Sequence, residues 1–149
     1  MLKPDCPLCQ MPGGVVLWQN PRLRVIDASD PLYPGFTRVV WREHVLEMTD
    51  LSAAEQTELM QVVLLIERVQ RDCLKPDKVN LAAFGNVVPH LHWHVIPRWQ
   101  DDAHFPQAVW AALPEATGEQ CAAQAARRAS VKKCLDAYHQ VLIEQLMVA

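Results

Sequence analysis

The sequence predicts an α+β domain with a largely antiparallel five-stranded sheet and two main helices, and three observations point to it. Short runs rich in β-branched and aromatic residues fall into two groups, three before a long helical stretch and two after it. Strands and helices do not alternate regularly, which disfavours a parallel, Rossmann-type sheet. The 149 residues, 50% of them hydrophobic, suffice for one domain around a single core.

The first strand is expected over Val15–Trp18, after the turn signal Met11-Pro12-Gly13-Gly14. Asn20-Pro21 turns the chain into a hairpin partner at Leu23–Ile26, and a loop containing Asp30-Pro31 and Pro34-Gly35 leads to a third strand at Thr37–Trp41. Ser52-Ala53-Ala54-Glu55 is a capping box, in which hydroxyl and carboxylate satisfy the free N–H groups of a first helical turn. Leu59, Val62, Ile66, Val69 and Cys73 then step by three and four along one buried face until Pro76 ends the pattern. Two further strands, Lys78–Phe84 and Leu91–Ile96, should pair as a hairpin across Gly85–Pro89. Thr117 and Gln120 form a second capping box, and Val131, Leu135, Tyr138, Leu142 and Leu146 mark one stripe of a single long terminal helix over 117–147.

Composition removes several function classes. With 14 Lys and Arg against 17 Asp and Glu, the net charge of −3 does not attract polymeric nucleic acid over the whole surface. No stretch reaches the roughly 18 apolar residues of a membrane span, and the start lacks the apolar run of a secretory signal, so a soluble cytoplasmic protein is expected. Neither GxGxxG nor GxxxxGK[ST] occurs, so any phosphate chemistry must arise elsewhere. The five cysteines do not suggest a disulfide framework. Cys6 and Cys9 form a CxxC half-site for a soft metal, or two ordinary thiols, and a tetrahedral zinc shell would need two more ligands.

The chemistry-bearing feature is His90-Leu91-His92-Trp93-His94-Val95-Ile96-Pro97. A strand period of two places the three imidazoles on one face and Leu91, Trp93 and Val95 on the other, under the helices. The same parity on the neighbouring strand sends Val79, Leu81 and Ala83 inward and sets Asn80 beside the histidines. Three histidines in five residues, alternating with bulky apolar ones, are a poor fit to chance surface histidines. Spacing alone leaves both catalysis and metal binding open.

These residues resemble the signature of the histidine triad (HIT) family, His-φ-His-φ-His-φ-φ with φ apolar, which His90 to Ile96 fills at every position. The resemblance extends upstream through Tyr33 to His44 and includes Asn80, where a nucleotide-contacting asparagine is common. It covers roughly residues 6–110 of a single domain and leaves the terminal helix outside. A HIT-like fold is therefore expected. His94 stands where the related nucleotidylyl transferases carry glutamine, which favours the hydrolase branch.

The resemblance implies attack by His92 on the α-phosphorus of a nucleoside phosphoramidate or dinucleoside polyphosphate, through a nucleotidyl-histidine that water hydrolyses. An imidazole with an ordinary pKa near 6.5 suits the task, being largely neutral at pH 7. It also implies hydrogen-bond donation from His94 to a phosphoryl or leaving-group oxygen, orientation by His90, and polar contacts from Asn80 and Asn86 to phosphate and ribose. Asn86 departs from the family's usual glutamine and is one methylene shorter. Asp30 is the expected ribose ligand, with Asp27 close enough to replace it; turn capping before proline competes with either role. Arg98 is left out of the site as either a phosphate partner or a solvated charge. The segment from Trp99 to Trp110 is expected to pack against the sheet edge rather than cover the pocket.

Some members hold a structural zinc through an N-terminal CxxC and two histidines, which here would be Cys6, Cys9, His44 and His90. No cofactor is expected for catalysis itself. Members also commonly form homodimers with sheets joined across the interface. Two other classes remain open: a non-catalytic nucleotide- or zinc-binding module, and a zinc hydrolase using all three triad histidines as ligands.

Overall fold

The computed structural model describes residues 2–148. Its elements follow in chain order: α1 (Pro7–Gln10), β1 (Val15–Gln19), β2 (Leu23–Asp27), β3 (Thr37–Trp41), α2 (Ala53–Leu74), β4 (Lys78–Ala82), β5 (His92–Arg98), α3 (Gly118–Lys132) and α4 (Leu135–Val148). The five strands form one antiparallel sheet in the order β1-β2-β3-β5-β4. Inserting α2 between β3 and β4 lets β5 return beside β3, so the histidine strand is held on both sides by neighbours.

Local chemistry sets the helix starts. Ser52 accepts from the Glu55 N–H while the Glu55 carboxylate reaches back to the Ser52 N–H, and Thr117 and Gln120 repeat the arrangement for α3. Leu59, Val63, Ile66 and Val69 of α2 pack with Tyr138, Leu142 and Leu146 of α4 on one sheet face. There they bury Val25, Val39, Val79 and Val95. Gln70, fully buried, is tolerated because its amide nitrogen donates to the carbonyls of Gly35 and Val95, each at 3.0 Å. Thr37 donates to the Gly35 carbonyl at 2.9 Å, so the Tyr138 hydroxyl donates to Thr37 Oγ1 at 2.7 Å and anchors α4 to β3.

Gly35 is irreplaceable on two counts. Its φ is +88°, and a Cβ there would lie 2.6 Å from Leu74 Cδ1. Gly35→Ala should therefore lose about 2–4 kcal/mol of stability, combining backbone strain with overpacking of α2. Urea unfolding measures this, and a loss under about 0.5 kcal/mol would contradict it.

The expected single terminal helix is two helices. The Cys134 N–H bonds the Val131 carbonyl at 2.9 Å, a three-residue reach that tightens the chain into a bend between α3 and α4. The bend lets α4 settle against α2, whereas α3 buries only Val131. Lys133 keeps right-handed helical angles, so the apolar spacing runs through the bend without a break. Strand β4 ends at Ala82 rather than Phe84, and Ala83 is exposed instead of inward-facing. Strand β5 begins at His92 and continues to Arg98.

The sheet face that carries the histidines is only partly open. At one end Cys6 and Leu8 cover Ile26 and Val40; at the other, Tyr33 and Phe36 cover Ile96. Among the described residues no helix is long and apolar enough to cross a membrane.

Candidate active site

Between those two covers lies a cavity of about 350 Å³, walled by Phe84, the loop from Gly85 to Val88, His92, His94 and Trp110. In the strand register Arg38 pairs with His94 and Val40 with His92, so β3 presents Arg38 on the histidine face. The rings of His92 and His94 are 4.8 Å apart, edge to face.

Hydrogen bonding fixes which nitrogen of each histidine is free. His92 Nδ1 lies 2.6 Å from the His90 carbonyl, which can only accept, so the proton sits on Nδ1 and the Nε2 lone pair is left for chemistry. The Arg38 guanidinium can only donate, and its Nε donates to His94 Nδ1 at 3.3 Å. His94 therefore carries its hydrogen on Nε2. Burial, then the neighbouring His92 and Arg38, push the His94 pKa down to about 3, making it a neutral donor. Burial also lowers His92, partly offset by the bond to the His90 carbonyl. The pair thus offers an uncharged imidazole nucleophile beside an uncharged hydrogen-bond donor.

Arg38 escaped the sequence reading although its parity placed it on the polar face, between inward-facing Thr37 and Val39. Its guanidinium lies over the Phe36 ring at 5.1 Å, which holds it toward His94. Burial lowers its pKa and the nearby Asp30 carboxylate opposes that shift.

His90 is fully buried and turned toward the N-terminal segment. Its Nε2 lies 2.6 Å from the Trp41 carbonyl, so Nε2 carries the hydrogen and the Nδ1 lone pair is free. That Nδ1 is 3.4 Å from Cys6 Sγ and 3.5 Å from Cys9 Sγ, and His44 Nδ1 is 3.5 Å from Cys9 Sγ. All four donor atoms lie within 4.8 Å of one another. Zinc bonds of about 2.3 Å to sulfur and 2.0 Å to nitrogen, at tetrahedral angles, separate sulfur from nitrogen by about 3.5 Å, so these residues fit a closed Cys₂His₂ shell.

Other expected contacts are spread more widely. Asn86 is on the cavity wall and exposed. Asn80 accepts from Arg98 Nη1 at 2.7 Å and pairs with Ile96, two residues along the strand from His94. Asp30 caps a turn through Oδ1, accepting from the Leu32 and Tyr33 N–H groups, and Asp27 accepts from the Ser29 N–H. Arg98 is not a solvated charge: it is buried and paired with Asp102. The segment after β5 divides, with Trp99 buried in the core as expected and Trp110 on the cavity wall against that expectation. Trp110 had no periodicity to betray it, because it sits in an irregular loop.

The comparisons agree with this architecture. A family profile described as the HIT domain matches residues 12–101. An AP-4-A phosphorylase of Mycobacterium tuberculosis is 37% identical over 81 residues, covering 50% of this chain and 42% of the relative. A bis(5'-adenosyl)-triphosphatase of Saccharomyces cerevisiae is 36% identical over 76 residues, covering 47% and 37%. The chain thus matches less than half the length of these curated relatives. Two solved structures share the fold over most of both chains. A histidine triad protein from Bradyrhizobium japonicum gives a TM-score of 0.62 at 29% identity, covering 81% of this chain and 90% of that one. One from Marinobacter aquaeolei gives 0.61 at 29%, covering 83% and 89%. With the signature on β5, the antiparallel sheet around it and the profile spanning the larger part of its length, the chain belongs to the HIT family.

Proposed function

We propose that this chain is a nucleotide hydrolase or nucleotidyl transferase that cleaves a dinucleoside polyphosphate or nucleoside phosphoramidate at the α-phosphorus. The observation that carries this reading is the His92 tautomer: Nδ1–H is tied to the His90 carbonyl, which leaves an Nε2 lone pair in a cavity next to a neutral donor. Nε2 forms a bond to phosphorus as the bond from phosphorus to the leaving oxygen or nitrogen breaks. His94 Nε2–H donates to that departing atom or to a phosphoryl oxygen, and Arg38 offsets negative charge beside it. Water then attacks the nucleotidyl-histidine, releasing a nucleoside monophosphate and returning His92. In this reading Asn86 contacts phosphoryl oxygens. Asn80 keeps its amide hydrogens for a phosphate or ribose oxygen, and Asp30 keeps its second carboxylate oxygen for a ribose hydroxyl.

Diadenosine tetraphosphate tests the reading. Attack at the α-phosphorus should yield ATP and AMP, and added inorganic phosphate should yield ADP in place of AMP only if phosphate competes with water as acceptor. A chain that cleaves neither this substrate nor adenosine phosphoramidate would defeat the proposal.

The same reading gives Cys6, Cys9, His44 and His90 a structural zinc, which would tie the N-terminal segment to the start of β5. A positive guanidinium against His94 makes a dication shared by the three triad histidines unfavourable. Protein purified without a histidine tag should carry about one equivalent of zinc, and Cys9→Ser should weaken its retention by about 10-fold or more. Mass spectrometry of the metal content decides; less than about a tenth of an equivalent in the unsubstituted chain overturns the assignment. A homodimer joined along β1 or β4, the two sheet edges, completes the proposal, with light scattering as its measurement. Five cysteines outside any disulfide, two of them offered to zinc, suit a reducing compartment such as the cytoplasm.

A further inference from the structure

We infer that Phe84 and Trp110 form an aromatic clasp for the departing half of the substrate, stacking on a nucleobase and so selecting dinucleoside polyphosphates over substrates with a small leaving group. The inference rests on the nucleotidyl-transfer reading above and extends it to the substrate's far end. The two rings meet edge to face with centroids 4.7 Å apart, and Trp110 stands 5.0 Å from the ring of His94. Phe84 is 6.4 Å from the same histidine. His94 donates to the departing atom, so whatever extends from that atom on the clasp's side meets these rings. Arg38 lies against the other nitrogen of His94 and stays with the phosphates.

The chemistry of the wall favours a planar, uncharged group. Phe84 is 56% exposed and Trp110 is 48% exposed, an unusual amount of bare aromatic surface at the mouth of a cavity. None of the residues lining it is Lys, Arg, Asp or Glu. A terminal phosphate would find no cation there, whereas a base would find a π-face and an edge.

The platform is also built rather than incidental. Buried Arg98 donates to the Gln107 carbonyl at 2.8 Å and to both carboxylate oxygens of Asp102, which pins the chain just before Trp110. The Ala111 N–H bonds the Ala108 carbonyl at 3.0 Å, closing a turn around the tryptophan.

The test compares kcat/KM for diadenosine tetraphosphate with that for adenosine phosphoramidate, whose leaving group is ammonia. Trp110→Ala should lower the ratio of the two by about 10- to 100-fold, the effect of removing one base–aromatic stack. Phe84→Leu should lower it less, and Trp110→Phe should retain most of it. An unchanged ratio overturns the clasp, including the case where both substrates suffer equally because the ring serves the retained nucleotide or the fold. Inactivity of the unsubstituted chain on both substrates would instead remove the nucleotidyl-transfer reading, and the clasp with it.

Discussion

Replacing His92 with alanine is expected to lower turnover of diadenosine tetraphosphate by about 10⁴-fold or more, because no other group in the cavity can form the bond to phosphorus. His94 cannot substitute: its Nδ1 lone pair is directed to Arg38, and its remaining nitrogen carries hydrogen. The fold should survive. His92 is only partly buried, and its one hydrogen bond, to the His90 carbonyl, is worth about 1 kcal/mol. Acid quenching during turnover should trap a nucleoside monophosphate on the unsubstituted chain and none on His92→Ala. A variant retaining more than about a tenth of the rate would show that the nucleophile lies elsewhere.

The second large effect concerns stability. Replacing Asp102 with alanine should cost about 3–5 kcal/mol, read from urea unfolding, because it strands a guanidinium whose side chain is 2% exposed. The pair is bidentate, Arg98 Nε to Oδ2 at 2.6 Å and Nη2 to Oδ1 at 3.0 Å. Asp102 also accepts from the N–H groups of Trp99, His104 and Phe105. Burial alone would raise its pKa, but the Arg98 hydrogen bonds and these N–H groups outweigh it and hold the carboxyl below its ordinary value. A depressed folded-state pKa means the contribution is fully present above the unfolded value near 3.8 and fades as pH falls through the lower folded one. Asp102→Asn should therefore flatten the acid limb of the stability profile below about pH 4. An unaltered acid limb would show that the carboxylate is not charged in the folded chain.

Most of the sheet and both capped helices were legible in the sequence because each rests on neighbours in the chain: Ser52 with Glu55, Thr117 with Gln120, and the alternation of His90 to Val95. The metal-ligand candidates could be gathered only through family resemblance, since Cys6 and His90 stand 84 residues apart in the chain. The bend at Lys133 and Cys134 stayed hidden because helical angles continue through it. Arg38 was missed, and Trp110, weighed as a pocket cover, was assigned to the sheet edge instead, for different reasons. Arg38 was readable from strand parity once the pairing of β3 with β5 was known, whereas Trp110 reaches the cavity through a loop pinned by Arg98, a contact no local pattern encodes. Asn80 was placed on the correct face, yet its partner, Arg98, needed the packed structure to be seen.

The docking of α4 has a practical corollary. The family profile stops at residue 101, but Tyr138, Leu142 and Leu146 roof the apolar side of the strands. A shortened version trimmed at the profile's edge would leave that greasy surface bare to water and should clump, however intact its histidines. The segment that carries the family signature and the length of chain needed to keep the sheet dry therefore differ, and the excess is the lid over the oily floor.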